Sequence, residues 1–403
     1  MPSISPASYA RFRTCPRLYY FTNVLYLERV RQDGARAFGT MYHAGLEAWW
    51  RAMDGGDDPW RDADAALVTA IKAIHSSGSH IDTDPFERAR AEALITNYHA
   101  RNFELFFETV TLGGGVEESF DVPLRDVDGV EIKDWRVRGR RDACKRFADG
   151  RVKVAEHKTT SMDISLASDY WTRLKIDTQI SIYIDAAQQL GLDVHEALYD
   201  VSRRPTITPL KKTPEEKRRT TKGKGCPHCG GRKGGKDGAS QGTGKIMVRT
   251  SVDGDGRPLA KPTDVETTCT SCDGTGWHEA PRLDAKQRLE DEPVEDFKAR
   301  IHEEINADPN AHFRMGSIPR STSQLEEARA DLVMTTGEIA TFVSMAKERG
   351  DGDARSVAAR RCFPRNDAAC TNQYGRPCDF ISVCSGAVEP FTSPLYRIST
   401  RRP

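Results

Sequence analysis

Gly139-Arg-Arg-Asp142-Ala-Cys-Lys-Arg-Phe-Ala-Asp149-Gly150-Arg-Val152-Lys-Val154-Ala-Glu156-His-Lys158 is the stretch from which the rest of the chain can be read. Two extended runs, 134–147 and 151–159, flank Asp149-Gly150, and Asp-Gly between extended runs is a strong hairpin signal. Side chains alternate along a strand, so Val152, Val154, Glu156 and Lys158 share one face. The valines bury that face, and a Glu and a Lys at its inward end are costly unless they have partners. Asp142, across the hairpin, offers a second carboxylate. Two carboxylates and an amine suit phosphodiester hydrolysis. Mg²⁺ prefers carboxylate oxygens and water, and leaves positions open for a phosphate. Lys158 would position the attacking water or stabilise charge developing in the transition state. The bare Asp…Glu-x-Lys triplet is a weak signal, since Glu-x-Lys on a strand usually forms an exposed ion pair.

Outward from this hairpin the chain is helical on both sides. The first twenty residues read as a helix, with Ser5 as N-cap, Pro6 at the first helical position, and Tyr9, Phe12, Leu18 and Tyr19 as apolar points. Helices are expected at 39–53 and 85–107, and an extended run at 116–122. After the hairpin come a helix at 170–190 and a strand at 197–201. Helices resume at 295–306 and 323–349, the latter burying Leu325, Ala328, Leu332, Ile339, Phe342 and Ala346 and closed by Gly350. Helices, a small mixed sheet and a helix returning onto it make an α/β core.

The matching pieces extend beyond the hairpin. Phe38-Gly-Thr-Met-Tyr-His43, Gly139-Arg-Arg-Asp142, Glu156-His-Lys158-Thr-Thr-Ser161 and Gln179-Ile-Ser-Ile-Tyr183 occur in the order of the RecB-like branch of the PD-(D/E)XK nuclease superfamily, which the chain resembles. The resemblance implies a restriction-endonuclease-like core whose mixed sheet is flanked by helices. It also implies that His43 joins Asp142 and Glu156 as a ligand of Mg²⁺ or Mn²⁺, and that Gln179 and Tyr183 line the site near DNA. Those two are four apart, on one helical face. A satisfied core histidine and a packing aromatic are the plainer readings of His43 and Tyr183.

Both ends of the chain continue the likeness. Ser8-Tyr-Ala-Arg-Phe-Arg-Thr-Cys15-Pro resembles the opening of the AddB-like iron–sulfur exonucleases, which pair one N-terminal cysteine with three near the C-terminus. Here the tail offers Cys370, Cys378 and Cys384, with Cys362 as the rival of Cys370. The resemblance implies a [4Fe–4S] cluster; four thiolates would equally hold Zn²⁺. Ligands from distant segments make binding energy folding energy, which points to a structural role.

The resemblance does not cover residues 202–284. Fourteen Lys/Arg face three Asp/Glu between Arg203 and Arg249, although the whole chain carries 59 of each sign. Such asymmetry is the footprint of a polyanion partner, or of a solvated tether. Cys226-Pro-His-Cys229 and Cys269-Thr-Ser-Cys272 form two Cys-x-x-Cys knuckles, the pattern of a closed tetrahedral zinc ribbon, with a redox dithiol as the other reading. Their spacer of 39 residues is long and must partly loop out. Lys211, Lys212, Lys217, Arg218, Arg219, Lys222 and Lys224 tilt the module toward nucleic acid.

The expected organisation is a nuclease core at 1–201, a basic zinc-ribbon insertion at 202–284, a helical part at 285–355, a cysteine segment at 356–390 and a tail at 391–403. The expected function is a metal-dependent DNA exonuclease of recombination, repair or phage DNA processing, with a recombination or replication protein as partner. Two other readings stay open: a nuclease-fold scaffold that binds DNA without cutting it, and a zinc-dependent nucleic-acid adaptor. Met1-Pro-Ser-Ile-Ser-Pro6 lacks the basic start and apolar run of a signal peptide. No apolar stretch approaches the ~18 residues of a membrane span. The expected compartment is the cytoplasm of a bacterial or phage-infected cell, where ten cysteines read better as ligands than as disulfides.

Overall fold

The computed structural model describes residues 2–30, 34–54, 59–78, 84–107, 109–112, 115–218, 223–235, 238–280, 287–350, 352–353, 359–371 and 375–399. The chain divides into two compact units, Met1–Ile207 with Val294–Pro403, and Thr208–Pro293.

In the larger unit the strands that build the core are β1 (Ser3–Ile4), β2 (Thr109–Leu112), β3 (Glu118–Arg125), β4 (Glu131–Arg141), β5 (Ala143–Phe147), β6 (Val152–Thr160), β7 (Val194–Arg203) and β8 (Phe313–Pro319). The main helices are α1 (Pro6–Thr14), α2 (Gly34–Asp54), α3 (Pro59–Gly78), α4 (Pro85–Phe107), α5 (Asp169–Leu174), α6 (Thr178–Gln189), α7 (Val294–Ala307) and α8 (Thr322–Arg349). A five-stranded sheet runs in the order β8-β7-β6-β5-β2, and a three-stranded sheet in the order β1-β4-β3. β6 and β7 are parallel, with Glu156 beside Tyr199 and His157 beside Asp200; the other pairs of the larger sheet are antiparallel.

β6 sits centrally, so both of its faces are covered. Val154 is fully buried, and so nearly is Ala155, which points the other way. Tyr183, Ile180 and Ile184 of α6 belong to one apolar cluster with Val154 and Tyr199. Trp49 and Trp50 of α2, Tyr98 of α4 and Phe297 of α7 belong to a second cluster. α1 begins with a capping box between Ser5 and Ser8, and α8 with another between Ser321 and Gln324.

Several expectations need correction. The extended run 134–147 is two strands, interrupted at Asp142. The first helix stops at Thr14, because Cys15 is extended (φ −163°), and a short helix Pro16–Tyr19 follows. The helix at 170–190 is two, since Asp177 caps α6 by accepting from Gln179 N at 2.9 Å. Gly350 ends α8 at φ −103°, without the left-handed turn that makes glycine the usual stop. The strand expected at 116–122 is β3, shifted toward the C-terminus.

In the smaller unit, Lys224–Gly225, Arg232–Gly235, Gly238–Ser240 and Trp277–Glu279 form a four-stranded sheet. The long spacer between the knuckles is an antiparallel ribbon of Lys245–Val252 with Pro258–Thr268.

Candidate active site and cysteine centres

The register of β5 on β6 pairs Ala143 with Ala155, so the next pair outward is Asp142 with Glu156. Asp142 has left the ladder there. Its Oδ2 accepts instead from His157 N at 2.6 Å. This ties the carboxylate to the backbone between Glu156 and Lys158. Glu156 Oε1 accepts from Lys158 Nζ at 2.7 Å and from Gln179 Nε2 at 2.9 Å. Lys158 Nζ also donates to Gln179 Oε1 at 2.8 Å, and Gln179 Nε2 donates to Tyr183 OH at 3.0 Å. Gln179 and Tyr183 reach the strand from one face of α6.

Burial and the Asp142 charge push the Glu156 carboxyl up to about 8, against the pull of Lys158. Burial holds the His43 imidazole down to about 4, with Asp142 opposing. His43 thus stays neutral at physiological pH, as a metal ligand must. His43, Asp142, Glu156 and Lys158 are electrostatic neighbours, but the three ligand groups do not all close to within 4.8 Å. The side chains present fit a divalent cation. Glu156 Oε2 is buried with no hydrogen-bond partner among the described residues, an expensive state for a carboxylate oxygen. The donors, two carboxylates and a neutral imidazole, suit Mg²⁺ or Mn²⁺.

The chain matches the description of the PD-(D/E)XK nuclease superfamily over residues 3–385. The chain belongs to that superfamily. No curated protein matches this nuclease. Membership implies a metal-dependent hydrolase of nucleic acid, and its fold is the mixed α/β core expected, with a four-cysteine module inserted.

One group near the site carried no sequence signal. Glu117 donates its backbone N–H to Asp142 O at 2.7 Å and pairs with Arg140 Nε at 2.6 Å. Burial and the Asp142 charge raise its carboxyl to about 7, with Arg140 opposing. Its backbone is left-handed (φ +57°), a strained conformation for a glutamate.

Among the described residues, the group of ligand atoms that all lie within 4.8 Å of one another is Cys226, Cys229, Cys269 and Cys272. Their Sγ atoms are 3.8 Å apart across the pairs Cys226–Cys269 and Cys229–Cys272. A tetrahedron with 2.3 Å metal–sulfur bonds has edges of about 3.8 Å, so the cage has the size of a single tetrahedral ion. A Cβ on Gly225 would lie 1.9 Å from Ser240 O, which reserves the position for glycine.

Cys15, Cys370, Cys378 and Cys384 gather more loosely. Cys15 and Cys370 both act on the Cys378 and Cys384 thiols, which burial raises first. Cys15 Sγ accepts from Asn366 N at 3.4 Å, and Asn366 Nδ2 donates to Thr14 O at 2.8 Å. Arg17 Nε donates to Phe363 O at 2.7 Å. Direct hydrogen bonds thus tie the N-terminal helix to the C-terminal segment. Cys362 lies instead in the apolar core, with the Tyr20 phenol as a neighbour.

Of the basic residues in the smaller unit, Lys211 pairs with Asp291 at 3.6 Å, Lys224 with Glu279 at 2.5 Å and Arg218 with Glu215 at 3.5 Å. Lys212 is exposed, as is Lys217. Arg219 and Lys222 lie outside the described residues. No described helix is long and apolar enough to cross a membrane.

Proposed function

We propose that this nuclease is a Mg²⁺- or Mn²⁺-dependent DNA exonuclease of the RecB-like, AddB-like iron–sulfur branch, acting in recombination, repair or phage DNA processing in a bacterial or phage-infected cell. The observation that carries the catalytic reading is the buried Glu156 carboxylate, engaged on Oε1 and partnerless on Oε2. Asp142, Glu156 and His43 would hold the divalent ion. When bound, the ion supplies phosphoryl polarisation and a bound water of lowered pKa.

The chain's own groups do the rest. Lys158 holds its ammonium between Glu156 and Gln179, where it can stabilise charge developing on a phosphate oxygen. Gln179 locks both partners and is itself fixed by Tyr183. Asp142 is aimed by the His157 amide.

Cys226, Cys229, Cys269 and Cys272 would hold a structural Zn²⁺ in an insertion whose lysines contact DNA phosphates. Cys15, Cys370, Cys378 and Cys384 would hold a [4Fe–4S] cluster. A cubane spaces its thiolates more widely than a single ion does, in keeping with the looser gathering of these four sulfurs.

The test uses protein purified without oxygen, end-labelled linear DNA and circular DNA, with and without Mg²⁺ or Mn²⁺. Metal-dependent loss of linear DNA alone, abolished in Glu156→Ala and Lys158→Ala, is the expected result. DNA binding with no cleavage under any metal overturns it in favour of a scaffold.

A further inference from the structure

β4 leads straight into the active site, and one of its faces is a row of arginines. Arg136, Arg138 and Arg140 alternate with the inward-facing Val137 and Arg141. On a strand, side chains of one face recur every ~6.8 Å, a spacing comparable with that of successive phosphates along one nucleic-acid strand. Side-chain exposure rises along the row, from 28% at Arg136 to 45% at Arg138 and 57% at Arg140. Two residues past Arg140 stands Asp142. Arg140 also pairs with Glu117, whose amide is bonded to Asp142 O, so the end of the row is fixed to the carboxylate centre.

The row is under-neutralised. Arg136 and Arg138 share one carboxylate, Asp121, on the facing strand β3, and Arg138 Nε reaches it at 2.8 Å. Among the described residues, three guanidiniums therefore face two carboxylates, Asp121 and Glu117. Exposed ion pairs of this kind contribute little to stability and exchange readily for another anion. A guanidinium fork suits phosphate in geometry as well as charge.

We propose that Arg136, Arg138 and Arg140 form a track for the sugar–phosphate backbone of the DNA strand that enters the metal site, with Asp121 holding two of the guanidiniums in place until phosphate replaces it. The proposal rests on the nuclease reading and adds the surface along which the substrate lies. Asp121 thereby weakens binding and limits how firmly non-substrate polyanions are held.

The experiment measures affinity for a fluorescent DNA oligonucleotide in a salt series, without divalent metal, for the full chain and two variants. In Arg136→Gln/Arg138→Gln, two phosphate contacts are lost, so the slope of log affinity against log salt should shrink by about 1.4 for a single strand. Asp121→Asn leaves both guanidiniums uncompensated and should tighten binding, by about tenfold if it frees one full contact of ~1.4 kcal/mol. A structural ion pair would behave differently, because its loss would destabilise the chain without gaining affinity. An unchanged slope in the double variant, or unchanged or weaker binding in Asp121→Asn with its thermal midpoint intact, overturns the track. Failure of the nuclease reading looks different: the unsubstituted chain then cuts no DNA with any divalent metal, whatever its affinity and salt slope for the oligonucleotide.

Discussion

Removing or adding one proton at Glu156 should set the metal affinity of this nuclease. Its carboxyl is pushed up from an ordinary 4.5 to about 8, first by burial and then by Asp142. A proton and a divalent ion compete for that oxygen, so apparent affinity scales with the ionised fraction. From a pKa of about 8, binding at pH 6 should be roughly 100-fold weaker than the plateau above pH 9, and at pH 7 roughly tenfold weaker. His43, held down to about 4, is already neutral at pH 6 and contributes nothing to that slope. Glu117, raised to about 7, lies inside the window, so the titration is repeated in Glu117→Gln to isolate Glu156. The same linkage acts on stability. A carboxyl whose folded pKa exceeds its unfolded value stabilises the fold fully below about 4.5, and that contribution is lost as pH rises through about 8. The metal-free protein should therefore melt at lower temperature at pH 9 than at pH 6, and saturating Mn²⁺ should remove the difference. Calorimetric Mn²⁺ titration from pH 6 to 9 is the assay. A dissociation constant that stays flat across that range in folded protein would refute the argument.

Three further outcomes follow from packing. Asp200 Oδ2 takes hydrogen bonds from Tyr98 OH at 2.5 Å and His157 Nδ1 at 3.0 Å in a closed interior; Asp200→Ala should cost about 3–5 kcal/mol in urea unfolding, and a loss below ~1 kcal/mol would show the pair to be dispensable. Gly225→Ala drives a Cβ against Ser240 O, so metal analysis should find bound zinc well below one per chain, and full zinc would contradict the close approach. In Gly139→Ala the new Cβ lies 2.5 Å from Phe120 Cζ, and that ring stands edge-on to Tyr183. The cost should be about 1–3 kcal/mol by thermal unfolding, with DNA cleavage slowed further through Tyr183 and Gln179.

The sequence carried the strand of the candidate site because its information is local: alternation, an Asp-Gly turn, and a carboxylate two residues before a lysine. Glu117 was illegible for a definable reason. The hairpin of β3 and β4 closes with Arg125 opposite Glu131, and counting down from there sets position 117 opposite Gly139. A register shift between Pro123 and Arg125 moves the pairing by three, so that Glu118 faces Arg141 and Glu117 arrives at Asp142. No composition signal announces that irregularity; the left-handed Asp134 (φ +67°) marks its neighbourhood only in three dimensions. α3 was missed because its described buried positions are mostly alanines, Ala63, Ala66 and Ala70, with Ile74 the one large side chain. Alanine is small and only weakly apolar, so the face keeps the helical period without the large hydrophobic landmarks that mark the other helices. The exposed ribbon of the smaller unit shows no alternation because neither of its faces is buried.

The two faces of β6 explain why an active site of this kind tolerates buried charge. Glu156 and Lys158 look toward α6, where Gln179 ties them together. His157, between them in sequence, points the opposite way, onto Asp200 of β7, which in turn holds Tyr98 of α4. Trp50 of α2 donates to Tyr98 OH at 3.1 Å and lies against the His157 ring. Burial alone would discharge His157, but the hydrogen bond and charge of Asp200, with Asp142 and Glu156, raise its pKa instead. The charged form of His157 is thus favoured directly behind two carboxyl groups that repel each other. The His157 amide on Asp142 Oδ2 carries this anchoring across the strand. Helices α2 and α4 therefore brace the edge proposed to bind metal through a single residue of backbone, even though Tyr98 and Trp50 face away from it.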